Sequence, residues 1–205
     1  MKYGELKIEC MNVMDEINEP ITMEALEAFE ADESYKDLFA RMPGAINRAM
    51  DRIANKKKLP LESSELTESE ERGNFLVFDL STVENYRSIK RISYTNAFEY
   101  LPSIEYIIEG KTLMVSRVFA GGTLRIIFYP KAPAVDSKTK NNDELNLPDE
   151  LARIIPYYVK SDLMNRDEPE LAILARNKFE SALDEINLDE EDSFGATIQK
   201  TYRIE

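Results

Sequence analysis

Thirty-nine carboxylates, a single thiol and no imidazole are what this 205-residue chain has to do chemistry with. Without histidine, Ser-His-Asp and Cys-His relays, histidine general bases and His-based zinc sites are all excluded. One cysteine rules out thiolate metal sites, iron–sulfur clusters and any disulfide framework within the chain. A paired-carboxylate hydrolase acting on cell-wall sugars survives this filter, because it needs only two acids flanking a scissile bond. The acids, however, gather at Glu62 to Glu71 and at Asp189 to Asp192, where solvated charge is the simpler explanation. The second run lacks the alternating ligands and central glycine of a calcium loop. Tryptophan, the usual platform for sugar stacking, is absent.

Three further spacings invite a phosphate reading. Gly110-Lys111-Thr112 matches the end of a phosphate-binding loop, but that motif places its first glycine where Glu105 stands. The segment also lies between two strand-like runs, so a hairpin is expected. Gly121-Gly122 lacks the third glycine of a dinucleotide fingerprint and reads as a turn. Lys56, Lys57 and Lys58 end a helical pattern, where cations suit the negative end of the helix dipole; a phosphate-contacting patch is the alternative. No catalytic residue, metal site or cofactor emerges, and no enzyme is expected.

With 26 Lys and Arg against 39 Asp and Glu, the net charge of −13 opposes non-specific binding to DNA or to anionic membrane. It leaves room for an acidic regulatory module that occupies a basic or DNA-binding partner. Cys10 falls on an apolar helical stripe and reads as core. Met1 to Glu9 alternates charges without an apolar run, and no stretch approaches a membrane span, so a soluble protein made in a reducing cytoplasm is expected.

The elements follow from periodicity. Leu6, Cys10, Val13 and Ile17 define one face of a first helix that Pro20 ends. Residues 24–33 are acidic with sparse anchors, giving a short helix or an exposed loop. Ser34 is placed to cap a short helix carrying Leu38 and Phe39. Pro43 is placed to start another, whose core face is Ile46, Ala49, Met50 and Ile53. Residues 62–73 read as a solvated linker. Strand signals follow: the apolar run from Phe75 to Phe78, a weaker one from Arg87 to Tyr94, and the hairpin of 106–108 with 113–115. Leu124, Ile126 and Phe128 close the series, with Arg125 and Tyr129 on the opposite face. Four or five short strands in a small sandwich or curled sheet are expected. Helical periodicity resumes at Pro148, with Pro156 forcing a kink or a restart. A last stripe follows: Leu171, Leu174, Ala175, Phe179, Ala182, Leu183 and Ile186. The fold class is α+β: a helical bundle (1–66 and 136–187), an inserted antiparallel β-domain (67–135) and an extended C-terminal tail (188–205). The tail's weak β pattern carries Phe194, Ile198, Tyr202 and Ile204 but has no strand of its own to pair with.

Two stretches carry a resemblance. One is Ile46-Asn47-Arg48-Ala49. The other is Leu147-Pro148-Asp149-Glu150-Leu151-Ala152-Arg153-Ile154-Ile155-Pro156-Tyr157-Tyr158, continuing through Asp167-Glu168-Pro169 to Ala175-Arg176-Asn177. Together with the element order, they resemble the head-tail connector, or adaptor, proteins of tailed bacteriophages. The resemblance implies a structural virion protein, assembled in the host cytoplasm, that forms a ring of commonly twelve copies. Its partners would be the portal protein, tail or nozzle proteins and its own copies, with DNA passing through the channel without specific binding and no membrane involved. It also implies that the C-terminal segment embraces the portal or a neighbouring subunit, which makes Phe194, Ile198, Tyr202 and Ile204 the candidate contacts.

Overall fold

Alternation between 3.6-residue and two-residue periodicity along the sequence becomes, in space, a helical unit and a β unit. The computed structural model describes residues 1–14, 21–56, 58–66 and 70–186. The chain divides into two compact units, Met1–Leu59 with Ala132–Glu205, and Pro60–Lys131.

In the helical unit, α1 (Tyr3–Met14) buries Tyr3, Leu6, Cys10, Met11 and Met14. Val13, expected on that face, is only half-buried, because Tyr3 and Met14 extend the stripe on the other side of Cys10; Ile17 lies outside the described residues. The Tyr3 and Gly4 N–H groups, which no helical carbonyl can reach, donate to the Asp143 and Asn141 carbonyls, each at 2.9 Å. The acidic stretch becomes α2 (Met23–Ala31). It is capped by Thr22, whose Oγ1 accepts from the Ala25 N–H, and it buries only Leu26.

α3 (Lys36–Asn55) corrects the expected pair of helices capped at Ser34 and started at Pro43: it is one element running through Pro43. Proline there leaves the Phe39 carbonyl without its helical donor, a local cost. The continuous apolar face of Met42, Ala45, Ile46, Ala49, Met50 and Ile53, all fully buried, outweighs it. After Pro148, α4 (Asp149–Ala152) ends in a turn and α5 (Ile155–Met164) restarts with Pro156 in its first turn, where no donor is needed. α6 (Pro169–Glu185) completes the unit. One core holds these helices together, with Met50, Ile53, Leu151, Ile155, Val159 and Phe179 among its buried members.

The β unit contains more strand than its sequence advertised. β1 (Glu62–Leu66) and β2 (Glu70–Arg72) arise from the stretch read as linker. They are followed by β3 (Phe75–Asp79), β4 (Tyr86–Thr95), β5 (Tyr100–Leu101), β6 (Tyr106–Glu109), β7 (Thr112–Ser116) and β8 (Thr123–Pro130). Among the described residues they form two four-stranded antiparallel sheets, ordered β1-β8-β4-β5 and β2-β3-β7-β6. β1 and β2 carry no strand signal in the sequence because their side chains are mostly polar. Their pairing comes from backbone bonds to β8 and β3, as in Ser64 opposite Ile126 and Glu70 opposite Val77. Core side chains come from both sheets: Leu76, Phe78, Leu113 and Val115 from one, Ile92, Leu124, Ile126 and Phe128 from the other. The 106–116 hairpin forms as expected, turning at Gly110 with φ +62°. Gly122 admits no side chain, since a Cβ there would lie 2.2 Å from the Tyr94 ring.

Candidate interaction surfaces

The helical unit's charged groups knit its own helices together. Arg48 on α3 donates through Nε (3.2 Å) and Nη2 (2.5 Å) to the two Asp162 oxygens on α5. One turn later, Arg52 grips Glu180 on α6 with two bonds of 2.9 Å. Two-pronged arginine–carboxylate pairs fix orientation as well as distance. At this exposure, each contributes only about 0–1 kcal/mol. The hydrogen bonds these guanidinium groups donate to Asp162 and Glu180 hold both above their usual pKa.

Arg176 stacks on the Tyr158 ring, 3.9 Å from its centroid, and Tyr158 meets Phe179 edge-on. Arg176 Nη1 is buried without a hydrogen-bond partner among the described residues. Asn47 clamps the backbone at Val135, donating to its carbonyl and accepting from its N–H, both at 2.8 Å. Of the residues quoted for the resemblance, Arg48, Tyr158 and Arg176 take part in these contacts between α3, α5 and α6.

The lysines after α3 do something else again. Lys56 pairs with Asp184 at 3.2 Å, and Lys58 donates to the Ile186 carbonyl at 2.5 Å. They hold the C-terminal end of α6 rather than capping their own helix or presenting a phosphate patch; Lys57 lies outside the described residues. At the other end of the unit, the Met1 ammonium donates to Asp149 Oδ1 at 3.0 Å. That bond raises the pKa of the amino group and lowers that of Asp149. Burial pushes the Cys10 thiol well above its usual value and, with Glu30 adding, raises Tyr3 to about 12, so both stay protonated as core groups.

Little here resembles a catalytic centre. One groove of the β unit is lined by Glu70, Arg72, Asp79, Thr82 and Lys111, among others. Glu70 is paired with Arg72 at 3.0 Å. Asp79 accepts from the Ser81 N–H at 2.8 Å, which holds its pKa below the ordinary value. A glycosidase acid needs the opposite shift. Among the described residues, no group of three His, Cys, Asp or Glu is placed to hold a metal, and no helix is long and apolar enough to cross a membrane.

The exposed apolar surface is the more telling feature. On α6 the buried face is Ala172, Ala175, Phe179 and Leu183, while Leu171 (41% exposed), Ile173 (59%) and Leu174 (64%) face solvent. This corrects the expected stripe, in which Leu171 and Leu174 were core. In the β unit, Phe75 (36% exposed) and Ile107 (47%) are exposed on β3 and β6, Ile107 ending a cross-strand row that runs from buried Val77 through half-buried Met114. Phe98, in the β4–β5 turn, is 96% exposed, and Val118 is 77% exposed. The sequence-derived contacts Phe194, Ile198, Tyr202 and Ile204 lie outside the described residues.

A family model described as SU10 adaptor protein matches residues 1–200, nearly the whole chain. The chain belongs to that family. SU10 adaptors are phage head-tail adaptors, so the protein is a structural adaptor of the virion that meets other capsid or tail proteins. No individual curated protein matches it. For an SU10 adaptor, exposed leucines and isoleucines on a rigid helix and a sheet face are what protein–protein contact requires.

Proposed function

We propose that this SU10 adaptor assembles into a ring of twelve copies between portal and tail, bordering the channel through which the genome leaves. The observation that carries the reading is the family match over residues 1–200. Three physical features support it. Head-to-tail rings need two different faces on each subunit, and the helical and β units each expose a distinct apolar surface. The net charge of −13 lets DNA pass without adhering. The ion-paired helices make a stiff platform, and stiffness lowers the ordering cost of assembly.

In this reading the protein has no catalytic role. Its partners are the portal, tail or nozzle proteins and its own copies, with the C-terminal residues Phe194, Ile198, Tyr202 and Ile204 contacting a neighbouring subunit or the portal. It resides in the virion neck and assembles in the host cytoplasm. The test is to mix the protein with its purified portal and examine the complex by negative-stain imaging and native mass spectrometry. A closed ring on the portal is expected; a protein that stays monomeric beside portal overturns the proposal.

A further inference from the structure

An open sheet edge presents unpaired N–H and C=O groups, and proteins usually blunt such edges with charge, brevity or cover. The β unit has four edges, and three are blunted. β1 reads Glu-Ser-Ser-Glu-Leu, β2 reads Glu-Glu-Arg, and β5 is two residues long. The fourth, β6, is Tyr106-Ile107-Ile108-Glu109 and, among the described residues, pairs on one side only, with β7. Ile107 and Ile108 are 47% and 42% exposed.

The chemistry of that edge selects its occupant. Residues 104–109 carry Glu105 and Glu109 and no base. A second β6 would set glutamates against glutamates, and β1 or β2 of another copy would bring more acids; like charges directly opposite are destabilising. Residues 196–204 read Ala-Thr-Ile-Gln-Lys-Thr-Tyr-Arg-Ile, with two bases, no acid and the strand-favouring residues Thr197, Ile198, Thr201, Tyr202 and Ile204.

We infer that β6 is an acceptor edge and that residues 196–204 of a neighbouring copy add to it as an antiparallel strand, with Tyr202 opposite Ile107 and Lys200 opposite Glu109. In this register, Tyr202 extends the apolar row Val77–Met114–Ile107, and Lys200 extends the polar row Asp79–Thr112–Glu109. Thr201 falls opposite Ile108. Main-chain bonds supply affinity and the alternating side chains supply register. The inference deepens the ring reading and rests on it.

The test uses full-length chains under assembling conditions, with portal present. One population carries Ile108→Cys and the other Thr201→Cys, mixed under mild oxidation, with Gln199→Cys as the register control. The native Cys10 is fully buried and does not compete. A disulfide joining positions 108 and 201 of different chains is expected, with little product for the control. Separately, Lys200→Glu should weaken self-association by roughly three- to tenfold, and adding Glu109→Lys should restore it. Copies that associate without the 108–201 link and without charge-swap rescue overturn this inference alone. A link that forms only within single chains, in the variant carrying both cysteines, overturns the neighbouring copy as occupant. Chains that associate with neither each other nor portal overturn both this inference and the ring.

Discussion

The helical and β units handle charge and apolar surface differently. Residues 60–131 carry eight Lys and Arg against ten Asp and Glu, a net −2, so the rest of the chain holds the remaining −11. The β unit exposes Phe98, Val118, Ile107 and Ile108 with little net charge around them, while the helical unit confines its exposed apolar residues to the first turns of α6. Long-range electrostatic repulsion is therefore concentrated outside the β unit, and the nearly neutral β unit meets less of it when another protein approaches. The two also differ in how they are built. In the helical unit, contacts between neighbouring turns are complemented by side-chain clamps such as Arg52–Glu180. The β unit depends on pairings as distant in sequence as Glu62 with Phe128. A strand of that kind needs no apolar pattern of its own once its partner supplies one.

Core truncations probe this division most strongly. Phe179→Ala should cost the helical unit about 3–5 kcal/mol, read as an earlier urea transition in helical circular dichroism, with β-unit signals unchanged. Ile126→Ala should do the converse, costing the β unit about 2–5 kcal/mol. A single shared transition in both variants would erase the distinction between units. Asn47→Ala removes both partners of the Val135 backbone groups and should cost about 1–3 kcal/mol, again in the helical transition alone.

Leu174→Glu sharpens the contrast from the other side. Its stability change should stay within about 0.5 kcal/mol, yet binding to portal or to other copies should fall, as measured by native mass spectrometry. Unchanged assembly would show that the α6 leucines are not a contact.

The smallest effect concerns pH. Asp149 has a depressed pKa in the folded protein, so its contribution is present above the ordinary carboxylate value of 3.8 and is lost as pH falls through the folded pKa. The Met1 ammonium is raised above 8.0, so its contribution is full below that value and fades as pH rises through the folded pKa. Asp149→Asn should flatten both limbs of the stability–pH curve slightly. A curve identical to that of the native chain would remove this pair from the account.

Much of this was legible in the residues because it is local. The order of helices, then strands, then helices follows from apolar periodicity. The hairpin at Gly110, the restart at Pro156, the placement of Cys10 in the core and the family resemblance at 147–158 follow from residue type at fixed spacing. Other features were not legible because they depend on what lies opposite. Glu62–Leu66 is a strand only because β8 offers it a partner. α3 passes through Pro43 only because a buried face on both sides outweighs one lost bond. Leu171 and Leu174 are exposed because a broad apolar stripe has two halves, and packing chose Ala172 and Ala175 to face inward. By itself, then, the sequence determined the order of helical, strand and helical regions and that histidine chemistry is absent, since both depend on residue identity and near neighbours. Only the tertiary structure decided which apolar residues remain outside and which sheet edge stays open, since exposure is a property of what the rest of the chain leaves uncovered.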